Sequence, residues 1–129
     1  MICSLLESYS VNLLYPKNTY TDDTVCTFAW AEALLRNLNM AQNLWTRCRA
    51  DFYRGFGGRF AQWLIAKEVG PAYDSFGNGS GMRVYAAGVM AKTKEECIDM
   101  ATRTAMPTHN HPEGIKRAVA TALAIFYGM

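Results

Sequence analysis

The sequence predicts an all-α fold, and three observations support this prediction. Long runs of good helix formers alternate with polar loops that contain glycine. The alternating apolar pattern of strands is nearly absent. A capping box and a proline at a helix start mark two helix boundaries. With 129 residues the chain forms one domain at most, residues 1–129, and we expect a helical bundle that is incomplete.

The first helix is expected from Val25 to Leu38, directly after the polar stretch Thr21-Asp22-Asp23-Thr24. Its apolar residues lie on most faces of the helix, and only a narrow edge is polar. That edge consists of Glu32, Arg36 and Asn37. A helix of this kind is expected inside a structure, with nearly all of its surface covered.

Two further helices are expected in the middle of the chain. One covers Met40 to Tyr53, and a loop with three glycines follows from Tyr53 to Gly58. The other covers Arg59 to Lys67. Gly70-Pro71 then interrupts the helical pattern, since proline cannot continue a helix and glycine favours turns.

The carboxyl-terminal part contains the most clearly bounded helices. Thr93-Lys94-Glu95-Glu96 is a capping box that opens a helix from Thr93 to Ala105. Pro112 suits the first turn of a last helix, Pro112 to Tyr127, where its missing N–H does no harm. This last helix is rich in alanine and apolar nearly all round, so it too is expected to be buried. With two such helices in so short a chain, we infer an incomplete fold or a required partner.

Composition and charge argue against several classes of partner. Thirteen basic and eleven acidic residues leave a formal net charge of +2. The basic residues are scattered, and Lys116-Arg117 is the only adjacent pair, so we expect no nucleic-acid partner. No apolar run reaches the length of a membrane span, and the first fifteen residues lack the pattern of a signal peptide. A cytoplasmic, membrane-free protein is the resulting expectation.

The four cysteines are expected to be buried, reduced thiols. They are Cys3, Cys26, Cys48 and Cys97. They lie far apart, with no Cys-x-x-Cys spacing and no cysteine near a histidine, so a zinc site is not expected.

Thr21, Asp22 and Asp23 are candidate metal ligands. Their oxygen atoms suit Mg²⁺ or Mn²⁺, and negative charge is favoured at the start of a helix. Since successive side chains on a helix diverge by about a hundred degrees, the two aspartates would bridge two ions, or hold one ion and a water. The alternative is that this cluster simply caps the helix, because threonine and aspartate are favoured there.

Two other polar loops carry candidate binding residues. Gly77 to Arg83 offers small residues and backbone amides where a helix is expected to begin, an arrangement that receives phosphate oxygens. It can equally be an ordinary turn, and Arg83 can pair with an anion or with a surface carboxylate. In the second loop, the alternation of His109 and His111 should point their rings in different directions. Two alternatives remain open for this loop: a ligand role for a histidine, or a capped helix start with one histidine bonded to backbone.

Four segments in this order resemble the blocks of the ADP-ribosylglycohydrolase family, over about residues 20–127. They are Tyr20-Thr21-Asp22-Asp23-Thr24 with Ala31-Glu32-Ala33-Leu34, Gly57-Gly58-Arg59-Phe60-Ala61-Gln62-Trp63-Leu64, Ser75-Phe76-Gly77-Asn78-Gly79-Ser80 with Met82-Arg83-Val84, and Thr108-His109-Asn110-His111-Pro112-Glu113-Gly114-Ile115-Lys116. The resemblance implies an all-α fold and hydrolysis of the glycosidic bond that joins ADP-ribose to a side chain or small molecule, with two Mg²⁺ or Mn²⁺ ions.

The resemblance also implies roles for individual residues. Thr21, Asp22 and Asp23 would be metal ligands, and the two aspartates would be catalytic. The ADP-ribose diphosphate would be lined by Gly77, Asn78, Gly79 and Ser80. His109 would face the ligand from the opposite loop.

Several features depart from the family pattern. Family members carry a second motif of the form Gly-Asp-x-Asp-Thr in a later half, and a Gly-Asp motif with a glutamate near the amino terminus, neither of which is present here. Gly81 stands where alanine is usual, Tyr85-Ala86 where Ser-Pro is usual, and Arg117 where glycine is typical.

The leading hypothesis is therefore a magnesium-dependent ADP-ribosylglycohydrolase-type domain, weak or inactive alone, which a complementary carboxyl-terminal half would complete. The alternatives are a module that binds ADP-ribose without cleaving it, and the remnant of a truncated enzyme.

Overall fold

The computed structural model of the protein describes residues 15–129. Predictions that concern Cys3 and the rest of the first fourteen residues lie outside this range. Within it there are seven helices and no strand, which confirms the all-α prediction. The helices are α1 (Asp22–Arg36), α2 (Met40–Ala50), α3 (Gly58–Ile65), α4 (Gly79–Met82), α5 (Tyr85–Met90), α6 (Lys94–Ala105) and α7 (Pro112–Gly128).

The predicted helix boundaries hold where a local cap sets them. Thr93 is the N-cap of α6, and its Oγ1 accepts from the Glu96 N–H at 3.1 Å, while the Glu96 carboxylate accepts from the Lys92 N–H at 2.8 Å. Pro112 occupies the first turn of α7 as expected. In contrast, α1 ends at Arg36 rather than Leu38, since Asn37 adopts a left-handed conformation with φ of 51°.

The buried residues form two large clusters. The first joins α1, α2 and α3 through Cys26, Leu44, Cys48 and Leu64, among others. The second joins α5, α6 and α7, largely through alanines. A smaller cluster of Trp30, Ala33 and Ala86 connects α1 to α5 and thereby links the two halves.

The helices α1 and α7 each bury only one face. The prediction that nearly all of their surface would be covered is wrong. On α1, Phe28 and Leu35 are 70% and 72% exposed to solvent among the described residues. On α7, Gly114, Ala118 and Ala122 are buried, whereas Tyr127 is 67% exposed. Composition alone misled here, because alanine is compatible with both a buried and an exposed helix face.

Glycine is required where α5 crosses α7. A Cβ on Gly88 would lie 2.6 Å from Ile125 Cβ and 2.8 Å from the Ala122 carbonyl oxygen. The two helix backbones therefore approach each other more closely than any side chain at residue 88 would allow.

None of the helices described between residues 15 and 129 has the length and apolar character that crossing a membrane would require.

Candidate functional site

A cavity of about 500 Å³ lies between the starts of α1 and α3, the loop before α4 and the loop before α7. This volume falls in the range of small-molecule sites. Residues from four separate segments line it: Asp22, Asp23, Cys26, Phe56, Gly57, Gly58, Arg59, Phe60, Tyr73, Ser75, Gly77, Asn78, Gly79, Met82, Arg83 and His109. The acidic doublet (Asp22 and Asp23), the glycine loop (Gly77 to Gly79) and His109 thus share one cleft. Both the metal hypothesis and the ligand hypothesis require this arrangement.

The acidic doublet lies in the first turn of α1. Thr21 is the N-cap, but its side chain makes no capping hydrogen bond, and Asp22 donates its backbone N–H to the Arg54 carbonyl at 2.8 Å. Thr21 therefore does not cap the helix through its side chain. Asp22 and Asp23 line the cavity, whereas Thr21 is not among the lining residues.

The oxygen donors at this point fit part of a magnesium-type site. Two carboxylates and a hydroxyl that makes no capping bond are the donor types that Mg²⁺ and Mn²⁺ prefer. In the described part of the chain, no group of three or more His, Cys, Asp or Glu side chains is placed to hold a metal ion. The doublet alone would supply only a fraction of a coordination shell.

The glycine loop packs directly against the His109 ring. A Cβ on Gly79 would lie 2.8 Å from His109 Cε1 and 2.9 Å from Nε2, and one on Gly77 would lie 3.8 Å from Nε2. Neither glycine has a positive φ, so the reason for glycine here is space for the imidazole. The helix that follows, α4, is a single turn.

Ser80 belongs to the framework of the loop. Its side chain is fully buried, and its Oγ donates to the Gly114 carbonyl at 2.8 Å. It therefore ties the glycine loop to the start of α7 and is absent from the cavity lining. Among the residues predicted to bind substrate, Gly77, Asn78, Gly79 and His109 line the cavity.

A relay of hydrogen bonds fixes the His109 ring. Buried Arg83 donates to the Thr108 hydroxyl at 3.0 Å, and the oxygen of this hydroxyl lies at hydrogen-bond distance, 2.7 Å, from His109 Nδ1. The other ring nitrogen, Nε2, lies beside Gly79. Burial, followed by the charges of Arg83, Arg117 and Arg59, lowers the pKa of His109 from 6.5 to about 4.

His111 caps the start of α7, in contrast to His109. It is the N-cap of α7, where Nδ1 accepts from the Glu113 N–H at 3.1 Å, and its ring lies 5.2 Å from that of Phe76. The alternative reading of a histidine bonded to backbone at a helix start is thus correct for His111. As predicted, the two rings point in different directions.

Arg83 is neither on the surface nor paired with a carboxylate in the described residues. It is 1% exposed, and its guanidinium donates to the Thr104 carbonyl and to Thr108. This buried cation contributes positive charge to a cavity that the carboxylates of Asp22 and Asp23 also line. Burial accordingly lowers the pKa of Arg83. From the sequence alone, this position had been compatible with a surface ion pair.

Gly81 and Arg117, both noted as departures, contact each other. A Cβ on Gly81 would lie 3.0 Å from Arg117 Cγ, so the glycine leaves room for the arginine stem. The guanidinium then reaches over α4 and donates to the Phe76 carbonyl at 2.8 Å. Arg117 therefore holds the residue before the glycine loop and places a cation beside it.

We predict that His109 makes stability depend on pH between 6.5 and 4. The unfolded chain binds a proton on this residue near pH 6.5, whereas the folded protein does so only near pH 4. The free energy of unfolding should thus fall as the pH drops through this window, by about 1 to 2 kcal/mol since the ring borders an open cavity. Urea unfolding at several pH values measures this. His109→Gln should remove this pH dependence of the unfolding free energy, and His111→Gln should keep it. Equal pH profiles for the wild type and His109→Gln would contradict the assignment of the pH dependence to His109.

The fold and the residues of this cleft define a class of protein. The sequence model of the ADP-ribosylglycohydrolase family matches residues 4–129, and the chain belongs to this family. One relative is the ADP-ribosylhydrolase ARH3 of Xenopus tropicalis, which is 27% identical over 129 aligned positions. The alignment covers 86% of this chain and 37% of ARH3, so the chain spans well under half the length of that relative.

Some residues of the cleft carried no individual prediction. Arg59 donates to the Tyr73 carbonyl and lies 5.0 Å from the Tyr73 ring, and both line the cavity. Phe56 and Phe60, four residues apart, add an apolar wall. The block Gly57 to Leu64 was noted for its resemblance to the family, but nothing in the sequence showed which of its side chains face the cleft.

Proposed function

We propose that this protein binds the ADP-ribose group of ADP-ribosylated side chains or small molecules in the cavity, and that it contributes the amino-terminal half of a glycosidic-bond hydrolase. The observation that carries the proposal is the common cavity of Asp22, Asp23, the glycine loop and His109. Family membership and the similarity to ARH3 support the same chemistry.

The glycine loop would receive the diphosphate of the ligand. Gly77 and Gly79 present backbone without side chains to the cavity. Arg59 and Arg83 line the same space, and Arg117 lies beside the loop. Charge complementarity between these cations and a diphosphate would favour binding, and the partly closed cavity would limit screening by salt.

His109 would donate a hydrogen bond to the ligand. Its lowered pKa keeps the ring neutral near pH 7, and we assign the ring proton to Nε2, with Nδ1 accepting from the Thr108 hydroxyl. A neutral donor held in one tautomer orients a ligand oxygen without adding charge to the site. Phe56 and Phe60 would exclude water from the apolar side of the cavity.

Thr21, Asp22 and Asp23 would hold Mg²⁺ or Mn²⁺ at the start of α1. The bound ion would supply Lewis-acid polarisation and water activation at neutral pH. The carboxylates of Asp22 and Asp23 provide the negative charge for this, and the Thr21 hydroxyl is a neutral oxygen donor.

A second candidate is a module that binds ADP-ribose without turnover. Among the described residues, only two carboxylates line the cleft, and no group of three or more His, Cys, Asp or Glu side chains is placed to hold a metal ion. Loosely held ions position water poorly, and catalysis tolerates little displacement of the reacting atoms. Turnover would then need further ligands, which a complementary carboxyl-terminal half would supply.

Calorimetry with ADP-ribose tests binding at this cleft. In the presence of Mg²⁺ we expect the double change Asp22→Ala, Asp23→Ala to weaken affinity about tenfold or more, the loss of about 1.4 kcal/mol or more of binding energy. Asp99→Ala, an exposed aspartate of α6, is the matched control and should leave affinity unchanged. Binding that the double change leaves intact, with or without Mg²⁺, would favour the metal-free binding module. No binding by the wild type would refute the proposal.

Hydrolysis of an ADP-ribosylated arginine or serine peptide with Mg²⁺ tests the enzymatic part. The chain is assayed alone and together with the carboxyl-terminal part of a relative such as ARH3. We expect weak or no release of ADP-ribose from the chain alone and an increase on addition. Absence of turnover in both conditions would exclude the hydrolase and leave the binding module.

A further inference from the structure

Two cysteine thiols face each other between α1 and α2. The Sγ atoms of Cys26 and Cys48 are 3.6 Å apart, although the residues are 22 positions apart in the sequence. Their side chains are 1% and 0% exposed. Two sulfur atoms in van der Waals contact on separate helices need to approach by about 1.6 Å to reach the bond length of a disulfide.

The two thiols differ in access to solvent. Cys26 lines the candidate site cavity, whereas Cys48 lies behind it and is not among the lining residues. A small reagent that enters the cavity would therefore reach Cys26 first. Cys48 would remain available as the second thiol, shielded from the reagent itself.

The surroundings favour a thiolate on Cys26 in preference to Cys48. The hydrogen bond with Cys48, and then the positive charge of Arg83, lowers the pKa of Cys26 against the opposing effects of burial and of the Asp22 and Asp23 carboxylates. The same hydrogen bond and burial raise the pKa of Cys48. Since the thiolate is the nucleophile, Cys26 is the sulfur that reacts.

We propose that Cys26 and Cys48 form a redox-active dithiol that hydrogen peroxide converts into an intramolecular disulfide between α1 and α2. The Cys26 sulfur attacks one peroxide oxygen, the O–O bond breaks, and the first water leaves as Cys26 becomes a sulfenic acid. The Cys48 sulfur then attacks the Cys26 sulfur, and the S–O bond breaks to release the second water. The two thiols lose two protons and two electrons, and the hydrogen peroxide is reduced to two waters.

The bond would form beneath the acidic doublet. Cys26 follows Asp22 by four residues and therefore lies on the same face of α1. Drawing Cys26 toward α2 would move the floor of the cavity below Asp22. Oxidation of the dithiol is independent of the ligand that the cavity binds, so it can be tested without reference to the proposed function.

Peptide mapping after mild peroxide treatment tests the proposal on the folded protein. Cys3 is replaced by serine throughout, so that the thiol count concerns only Cys26, Cys48 and Cys97. We expect the loss of two thiols per chain, a cross-linked Cys26–Cys48 peptide pair and recovery by a reductant. Cys97, which is buried in the alanine-rich cluster, is the internal control and should keep its thiol.

Cys48→Ser and Cys48→Ala separate proximity from general reactivity. In both variants Cys26 should still be oxidised, although more slowly in Cys48→Ala, which loses the hydrogen bond to Cys26, and it should stop at a sulfenic acid that dimedone labels. In urea, where the helices unfold, the preference for the Cys26–Cys48 pair over pairs with Cys97 should disappear. A folded wild type in which Cys97 oxidises as fast as Cys26, or in which Cys26 is oxidised without a cross-link, would overturn the proposal.

Discussion

Gly88→Ala is expected to destabilise the protein by about 2 kcal/mol or more. Alanine is a better helix former than glycine, by about 1 kcal/mol in a helix interior, so propensity alone would predict a gain. The new Cβ would instead lie 2.6 Å from Ile125 Cβ and 2.8 Å from the Ala122 carbonyl oxygen. Overpacking at such a contact costs about 1 to 3 kcal/mol or more, because α5 and α7 must move apart. Urea unfolding monitored by circular dichroism measures the difference.

Two further variants check the cause of this loss. Gly58→Ala adds a Cβ in the first turn of α3 with no atom within 4 Å, so it should leave stability unchanged or raise it slightly. Ile125→Ala in the Gly88→Ala background should fail to restore stability, since the Ala122 oxygen belongs to the main chain. Full rescue by Ile125→Ala would show that the side chain alone caused the clash.

Gly114→Ala is expected to have a comparable effect and to disturb the candidate site as well. Its Cβ would lie 2.7 Å from the His109 carbonyl oxygen and 2.7 Å from the Ser75 carbonyl oxygen. Both partners are backbone atoms of the loops that form the cleft, so the loops must separate. We expect a loss of about 2 to 3 kcal/mol in unfolding free energy.

The matched control for Gly114→Ala lies at the other end of the same helix. A Cβ on Gly128 would meet no atom within 4 Å, so Gly128→Ala should be neutral. At a temperature where the Gly114→Ala protein is still folded, calorimetry should also show weaker ADP-ribose binding. Unchanged stability would mean that the two loops can yield at no cost, which contradicts the close contact to two carbonyl oxygens.

Local sequence signals predicted the parts of the fold that local bonds determine. Thr93 with Glu96 fixed the start of α6, and Pro112 fixed the start of α7, because each signal acts within one turn. The end of α1 was placed two residues too late, because the local C-cap that the left-handed Asn37 forms was not recognised in the sequence. From the order of the motifs, the acidic doublet, the glycine loop and His109 were expected to share one site. In the structure they line one cavity.

Contacts between distant residues could not be predicted in the same way. Arg83 reaches carbonyl and hydroxyl groups more than twenty positions away, so its burial left no local pattern. Gly79 was predicted to be a loop residue that offers backbone amides. The structure also places the His109 ring where a side chain on Gly79 would be, and no local pattern indicated this contact. Cys26 and Cys48 looked like unrelated buried thiols, because helix packing alone brings them together.

The contact between Gly81 and Arg117 couples substitutions at these two positions. With alanine at residue 81, the Arg117 stem would have to shift by a few tenths of an ångström, and with it the guanidinium that holds the Phe76 carbonyl. With glycine at residue 117, the same alanine would meet no arginine stem. The effects of the two substitutions on stability should therefore be non-additive.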